Sequence, residues 1–84
     1  MSNAKVLHVS WILDWPIFPR GERAHVHVVK FGSREEMKVW LEPEIEVEYI
    51  HGINAAAANR ILDEIRSRKD ECLRKWNECE RKGR

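Results

Sequence analysis

Two histidines stand two residues apart in the stretch ERAHVHVVKFG, residues 22–32. A β-strand sends residues i and i+2 to the same face, so His25 and His27 are predicted to share one face while Val26 and Val28 occupy the other. Imidazoles at neutral pH can transfer protons, ligate a metal or contact a partner. The pair is therefore the first candidate for a functional surface.

A metal site needs more ligands than this pair supplies. Zinc takes three or four ligands of His, Cys or carboxylate type. The other candidates, His51, Cys72 and Cys79, follow no recognisable ligand spacing relative to the pair. We therefore predict no metal and no other cofactor.

A small ribonuclease is the enzymatic alternative for the same residues. His25 and His27 would act as general acid and base, and Arg20, Arg23 or Lys30 would stabilise the phosphate. Such groups are recognised by their mutual geometry, which a sequence does not give, and no activating carboxylate is identifiable. Within this alternative, the catalytic set is His25, His27 and Arg23.

The third strand expected from the sequence adds two residues to this surface. Apolar residues at 37, 39 and 41 form its core side, so Lys38 and Trp40 are predicted to lie beside the histidines. An exposed tryptophan among polar groups is typical of an interaction anchor. Trp15, in a loop that contains two prolines, is a second anchor candidate. The predicted binding surface is His25, His27, Lys38, Trp40 and Trp15.

Four segments carry the alternation or the β-branched residues of strands, at residues 5–13, 24–31, 37–43 and 44–50. In the last of these, the glutamates are predicted to face outward, with Ile45, Val47 and Tyr49 inward. Tight connections between successive strands favour an antiparallel meander. Trp76 and its neighbours then supply a helix to cover one face.

The period changes to that of a helix after Gly52. Asn54 is a plausible N-cap and four alanines follow it. The apolar stripe comprises Ala58, Ile61, Leu62, Ile65, Cys72, Leu73, Trp76 and Cys79. We predict an α+β fold, with three or four short strands packed on one long C-terminal helix. Lys69 interrupts the apolar stripe and Asp70 is a possible cap of a second segment, so the sequence leaves open whether the helix is straight or bends near residues 67–70.

Length and charge restrict the function classes. The chain has 84 residues with a net charge of +1, so we expect a single domain, 1–84, with an unstructured or tag-derived start at 1–4 and a frayed basic tail at 81–84. The glutamates at 42, 44, 46 and 48 would repel phosphate, which makes nucleic-acid binding an unfavoured role. No apolar run approaches the ~20 residues of a membrane span. Two cysteines seven apart on one helix predict reduced thiols and a cytoplasmic location.

Four short motifs occur in the order HVHV (25–28), VWLEP (39–43), HGI (51–53) and KWNE (75–78). In this respect the chain resembles the bacterial domain-of-unknown-function 4160 family over about residues 17–80. The resemblance implies a gene beside another small uncharacterised domain, in a pair of toxin–antitoxin or regulatory type. Arg23 and Ala24 replace a proline pair common in the family, and an upstream histidine of the family is missing here.

These observations favour a small cytosolic interaction module. We expect its partner to be another small protein that is encoded by a nearby gene. A homodimer of the chain is the other possibility. A histidine-dependent ribonuclease toxin that uses the same surface is the alternative.

Overall fold

The computed structural model describes residues 4–8, 11–16, 21–30 and 32–82. The strands are β1 (Ala4–His8), β2 (Trp11–Asp14), β3 (His25–Lys30), β4 (Glu36–Trp40) and β5 (Glu46–His51). The helices are α1 (Ala55–Ser67) and α2 (Lys69–Lys82). All neighbouring strands are antiparallel and the sheet order is the chain order. The predicted α+β class and antiparallel meander are confirmed.

The sheet has one strand more than predicted. Residues 5–13 were expected to form a single strand, whereas they form most of a hairpin in which Lys5 pairs with Leu13. No glycine, proline or asparagine marks the reversal between β1 and β2 in the sequence, and residues 9 and 10 lie outside the described part. Ser10 is the one turn-forming residue in this stretch of the sequence, and it is a weaker signal than glycine, proline or asparagine.

The C-terminal helix divides in two at Arg68 instead of running on as one bent helix. The Arg68 N–H lies 3.1 Å from the carbonyl oxygens of both Glu64 and Ile65, and the Ser67 hydroxyl donates to the Glu64 carbonyl as well. Such competition for carbonyls loosens a helix at its end. The Cys72 N–H then donates to the Arg68 carbonyl and begins α2.

The ends of the chain differ in part from expectation. Ala4 begins β1, and residues 81 and 82 belong to α2 rather than to a frayed tail. The predicted N-cap is confirmed, because the Asn54 side chain accepts a hydrogen bond from the Ala57 N–H at 2.8 Å. Residues 1–3, 83 and 84 lie outside the described part.

The core lies between one sheet face and the two helices. Val26, Val28 and Leu13 from the sheet are buried with the predicted helical stripe, of which Ile65 and Trp76 are central members. Leu62 and Leu73 are half-buried at its margin. No helix in the described part of the chain has the length and apolarity that crossing a membrane requires.

A β-bulge in β5 changes the predicted alternation. Val47 pairs with Val39 and Tyr49 pairs with Lys38, so Glu48 is an extra residue opposite no partner of β4. Tyr49 therefore shares a face with Lys38, away from the helices, and the prediction that it points inward is wrong. Ile50 pairs with Met37 and lies on the helix side, where it is 40 % exposed.

Candidate functional site

The register of β3 and β4 places the predicted surface residues on the sheet face opposite the helices. His25 pairs with Trp40, and His27 pairs with Lys38 on one side and Asp14 on the other. Their neighbours Val26 and Val28 are fully buried on the helix side. We call the opposite side the outer face; its residues on β2 to β5 are Ile12, Asp14, His25, His27, Val29, Glu36, Lys38, Trp40, Glu46, Glu48, Tyr49 and His51.

His25 is the interior member of the histidine pair. It was predicted to be a surface residue, but only 4 % of it is exposed. Asp14, opposite His27, is the last residue of β2, so His25 lies beyond the end of that strand. The ring of Trp76, on α2, packs against the His25 ring with the ring centroids 4.9 Å apart. The Trp40 ring also contacts His25, at a centroid distance of 5.5 Å.

The hydrogen bond of His25 identifies its tautomer. The Nδ1 atom lies 2.8 Å from the Arg23 carbonyl oxygen. Because a carbonyl can only accept, Nδ1 carries a proton and donates it. The Nε2 atom is 3.9 Å from a Glu22 carboxylate oxygen, beyond hydrogen-bond length. His25 thus anchors the start of β3 to its own backbone.

His27 has a different setting, with 30 % of its side chain exposed. Its Nδ1 lies 3.7 Å from Glu36 Oε1 and 3.5 Å from the Tyr49 hydroxyl oxygen. Tyr49 donates its own proton to Glu36 Oε2 at 3.0 Å. Nδ1 of His27 is therefore the donor toward these two oxygens, and Nε2 is the acceptor atom of the neutral ring.

Burial lowers the pKa of His27 below 6.5, and the neighbouring His25 and Lys38 lower it further, whereas Glu36 and Asp14 oppose them. The imidazole is accordingly neutral at pH 7. The pKa of Tyr49 is raised above 10.0, first by burial and then by its hydrogen bond to Glu36. Tyr49 therefore keeps the proton that it donates.

Trp40 is fixed on several sides. Its Nε1 donates to Glu48 Oε2 at 2.7 Å. The Arg23 guanidinium and the Lys38 ammonium lie 4.6 and 4.5 Å from its ring centroid, which is cation–π distance. The side chain is half-buried rather than freely exposed. Trp40 is thus a preoriented part of the outer face.

Trp15 does not belong to this surface. It was predicted to be an exposed anchor in the proline-containing loop, but it is 2 % exposed. Its Nε1 donates to the Cys72 carbonyl oxygen at 3.1 Å. An indole carries both an apolar body and one N–H donor, so it can fill the core and still satisfy its polar atom on a helix. Trp15 joins β2 to α2.

The catalytic alternative required two imidazoles and a guanidinium in one pocket. Arg23 contacts Trp40, donates from Nε to the Glu42 carbonyl and lies 3.5 Å from Glu46, so its guanidinium is already engaged. An open cleft of about 580 Å³ touches Arg23, but its other lining residues are Glu42, Pro43, Lys69 and Leu73. Neither histidine lines it. The three residues are neighbours, but this cleft does not bring them together.

A metal site would need further ligands beside His25 and His27. Among the described residues, no group of three or more His, Cys, Asp or Glu side chains is arranged to hold a metal ion. Both cysteines, Cys72 and Cys79, are buried on the helix side.

The two residues that share a hydrogen bond beside His27, Glu36 and Tyr49, were not among the predicted surface residues. The sequence held one usable signal, since Glu36 precedes Lys38 and Trp40 at a spacing of two and therefore shares their face. Tyr49 could not be assigned by alternation, because the bulge at Glu48 reverses its direction.

The fold and this face define a small α+β domain with a five-stranded meander, two helices on one side and a polar, aromatic outer face on the other. Comparison of the sequence with known families gives a match over residues 17–77 to the domain of unknown function DUF4160. The match covers more than half of the chain, which belongs to this family. No curated protein and no solved structure matches it.

Proposed function

We propose that this domain is a protein-interaction module and that the outer face is its docking surface. The observation that supports this most is the fixed arrangement of Trp40, held by Arg23, Lys38 and Glu48. A preoriented indole loses little side-chain freedom when a partner covers it, and tryptophan is enriched among residues that dominate binding energy.

The second support is the position of the face. In the described part of the chain the helices pack against the other side of the sheet, with Trp76 also contacting His25, and the outer face combines half-buried aromatic rings with charged groups. Tyr49 and His51 extend the aromatic surface along β5, with ring centroids 4.8 Å apart in a stacked arrangement. Aromatic residues are enriched in protein interfaces.

The partner we propose is another small protein encoded nearby, in a pair of toxin–antitoxin or regulatory type, acting in the cytoplasm. The ribonuclease alternative is less well supported. It needs His25 to reach a substrate, but that side chain is buried, and it needs an available Arg23, which is engaged with Trp40 and Glu42. His27 is the accessible member of the pair, and its neutral ring would supply a general base without the second imidazole that the mechanism needs.

The test is titration calorimetry with the product of the adjacent gene. Trp40→Ala removes the preoriented indole, and it should weaken binding about tenfold or more, as truncation of a hot-spot residue does. Arg60→Ala is the matched control, because Arg60 is exposed on α1, on the other side of the molecule. Equal binding by both variants and the wild type would contradict the proposal. RNA cleavage that is lost in His27→Gln would establish the enzyme instead.

A further inference from the structure

The charges of the outer face are unequal. It includes four carboxylates, on Asp14, Glu36, Glu46 and Glu48, and a single cation of its own, Lys38, with Arg23 reaching it from the start of β3. The carboxylates at the β5 margin are accessible, since the Glu46 side chain is 65 % exposed and Glu48 is also exposed. The chain as a whole carries a net +1. The negative excess is therefore local to this face.

We propose that the outer face takes a lysine- or arginine-bearing segment of its partner, and that protonation of His27 weakens this binding. The inference rests on the proposed docking function and specifies its chemistry. Complementary charge sets which partners are accepted and how fast they associate, more than it sets raw affinity. A second copy of the chain would present the same carboxylates and be repelled.

His27 is at the centre of this charge distribution. The groups that face it are His25 on its own strand, Asp14 on β2, Glu36 and Lys38 on β4 and, from β5, Tyr49. At pH 7 the ring is neutral, and the two carboxylates beside it act in full on a cationic partner. When the ring gains a proton, it adds a positive charge between Asp14 and Glu36 and offsets part of their attraction.

Protonation also changes the hydrogen-bonding character of the ring. Nδ1 is the donor toward Tyr49 and Glu36, so the neutral ring offers Nε2 as an acceptor to an ammonium or guanidinium N–H. The imidazolium has donors at both nitrogens and cannot accept. Charge and hydrogen bonding therefore change in the same direction as the pH falls.

Two acetylated pentapeptides serve as probes, one alternating lysine with valine and the other glutamate with valine. Binding to the whole protein is followed at pH 7.5 and 5.5 by amide shifts in ¹⁵N spectra. We expect the lysine peptide to bind at pH 7.5 with shifts in β5 and around His27, and the glutamate peptide not to bind. At pH 5.5 the lysine peptide should bind more weakly, by at most about two- to fivefold, which is the effect of one exposed ion pair.

The His27→Gln variant should bind the lysine peptide with less change between the two pH values. Glu46→Gln should weaken the peptide about two- to fivefold, whereas Asp63→Asn, at an exposed position on α1, should not. Equal binding of both peptides, or the same pH response in His27→Gln, would overturn the inference. So would a dimer of the protein in sedimentation equilibrium. None of these results would alter the Trp40→Ala test, which depends on the indole and not on the charge of the partner, so failure of this inference is distinguishable from failure of the docking function.

Discussion

Replacing Trp15 by phenylalanine isolates one hydrogen bond that joins the sheet to the helices. The indole is buried and donates from Nε1 to the Cys72 carbonyl oxygen at 3.1 Å. Phenylalanine keeps most of the apolar contact but removes the donor, which costs about 0.5–1.5 kcal/mol, and its smaller ring leaves unfilled space. The free energy of unfolding should fall by about 1–3 kcal/mol in total.

Urea unfolding followed by far-ultraviolet circular dichroism measures this change without relying on tryptophan fluorescence. With a denaturant dependence of about 1 kcal/mol per molar for so small a domain, the midpoint should move by about 1–3 M. Trp15→Ala removes the ring as well and should cost about 3–5 kcal/mol. The order of the two variants then separates the ring's contribution from that of its N–H.

Trp11→Phe is the matched control. Trp11 begins β2, the strand that ends just before Trp15, and it is half-buried, with the Lys30 ammonium 5.5 Å from its ring centroid. It should lose less stability than Trp15→Phe. If the two phenylalanine variants have the same midpoint, the contact between Trp15 and Cys72 does not stabilise the fold, and the reasoning is refuted.

Three further predictions concern the helices and the outer face. Trp76→Ala should cost about 3–5 kcal/mol, because a buried aromatic side chain is truncated; an unchanged thermal midpoint would show that α2 packs by another face. Asn54→Ala removes the cap on the Ala57 N–H and should cost about 0.5–2 kcal/mol in urea unfolding, whereas Asn54→Gly should cost only a few tenths. Because the folded-state pKa of His27 lies below 6.5, its contribution to stability is present above pH 6.5 and is lost as the pH falls through the folded-state pKa. The free energy of unfolding should therefore decrease less with falling pH in His27→Gln than in the wild type. Identical curves of stability against pH for the two proteins would contradict this prediction.

The elements that follow a periodic pattern could be predicted from the sequence. The helical stripe and the face division of β4 depend only on spacing, and Ile65, Trp76 and Met37 are buried as expected. The β1–β2 hairpin carries only the weak turn signal of Ser10. The interruption of the helix lies near the predicted bend at residues 67–70, but its position at Arg68 depends on competition for carbonyls.

The candidate site was predictable only in outline. The shared face of His25 and His27 follows from a period of two, but their difference in exposure does not. It depends on where β2 ends and on the approach of Trp76, which are tertiary facts. The burial of Trp15 is not predictable for the same reason. No local sequence signal indicates that this tryptophan donates a hydrogen bond to the carbonyl of Cys72, 57 residues away.

The bulge at Glu48 also determines where β5 tolerates a change of length. Deleting Glu48 would leave Val47 opposite Val39 and Tyr49 opposite Lys38, so the flanking pairs would stay in register and only the acceptor for Trp40 Nε1 would be lost. Deletion at any other position in β5 must either reverse the faces of the residues beyond it or draw the chain across the bulge. A sequence alignment of this family should therefore place gaps in β5 at position 48.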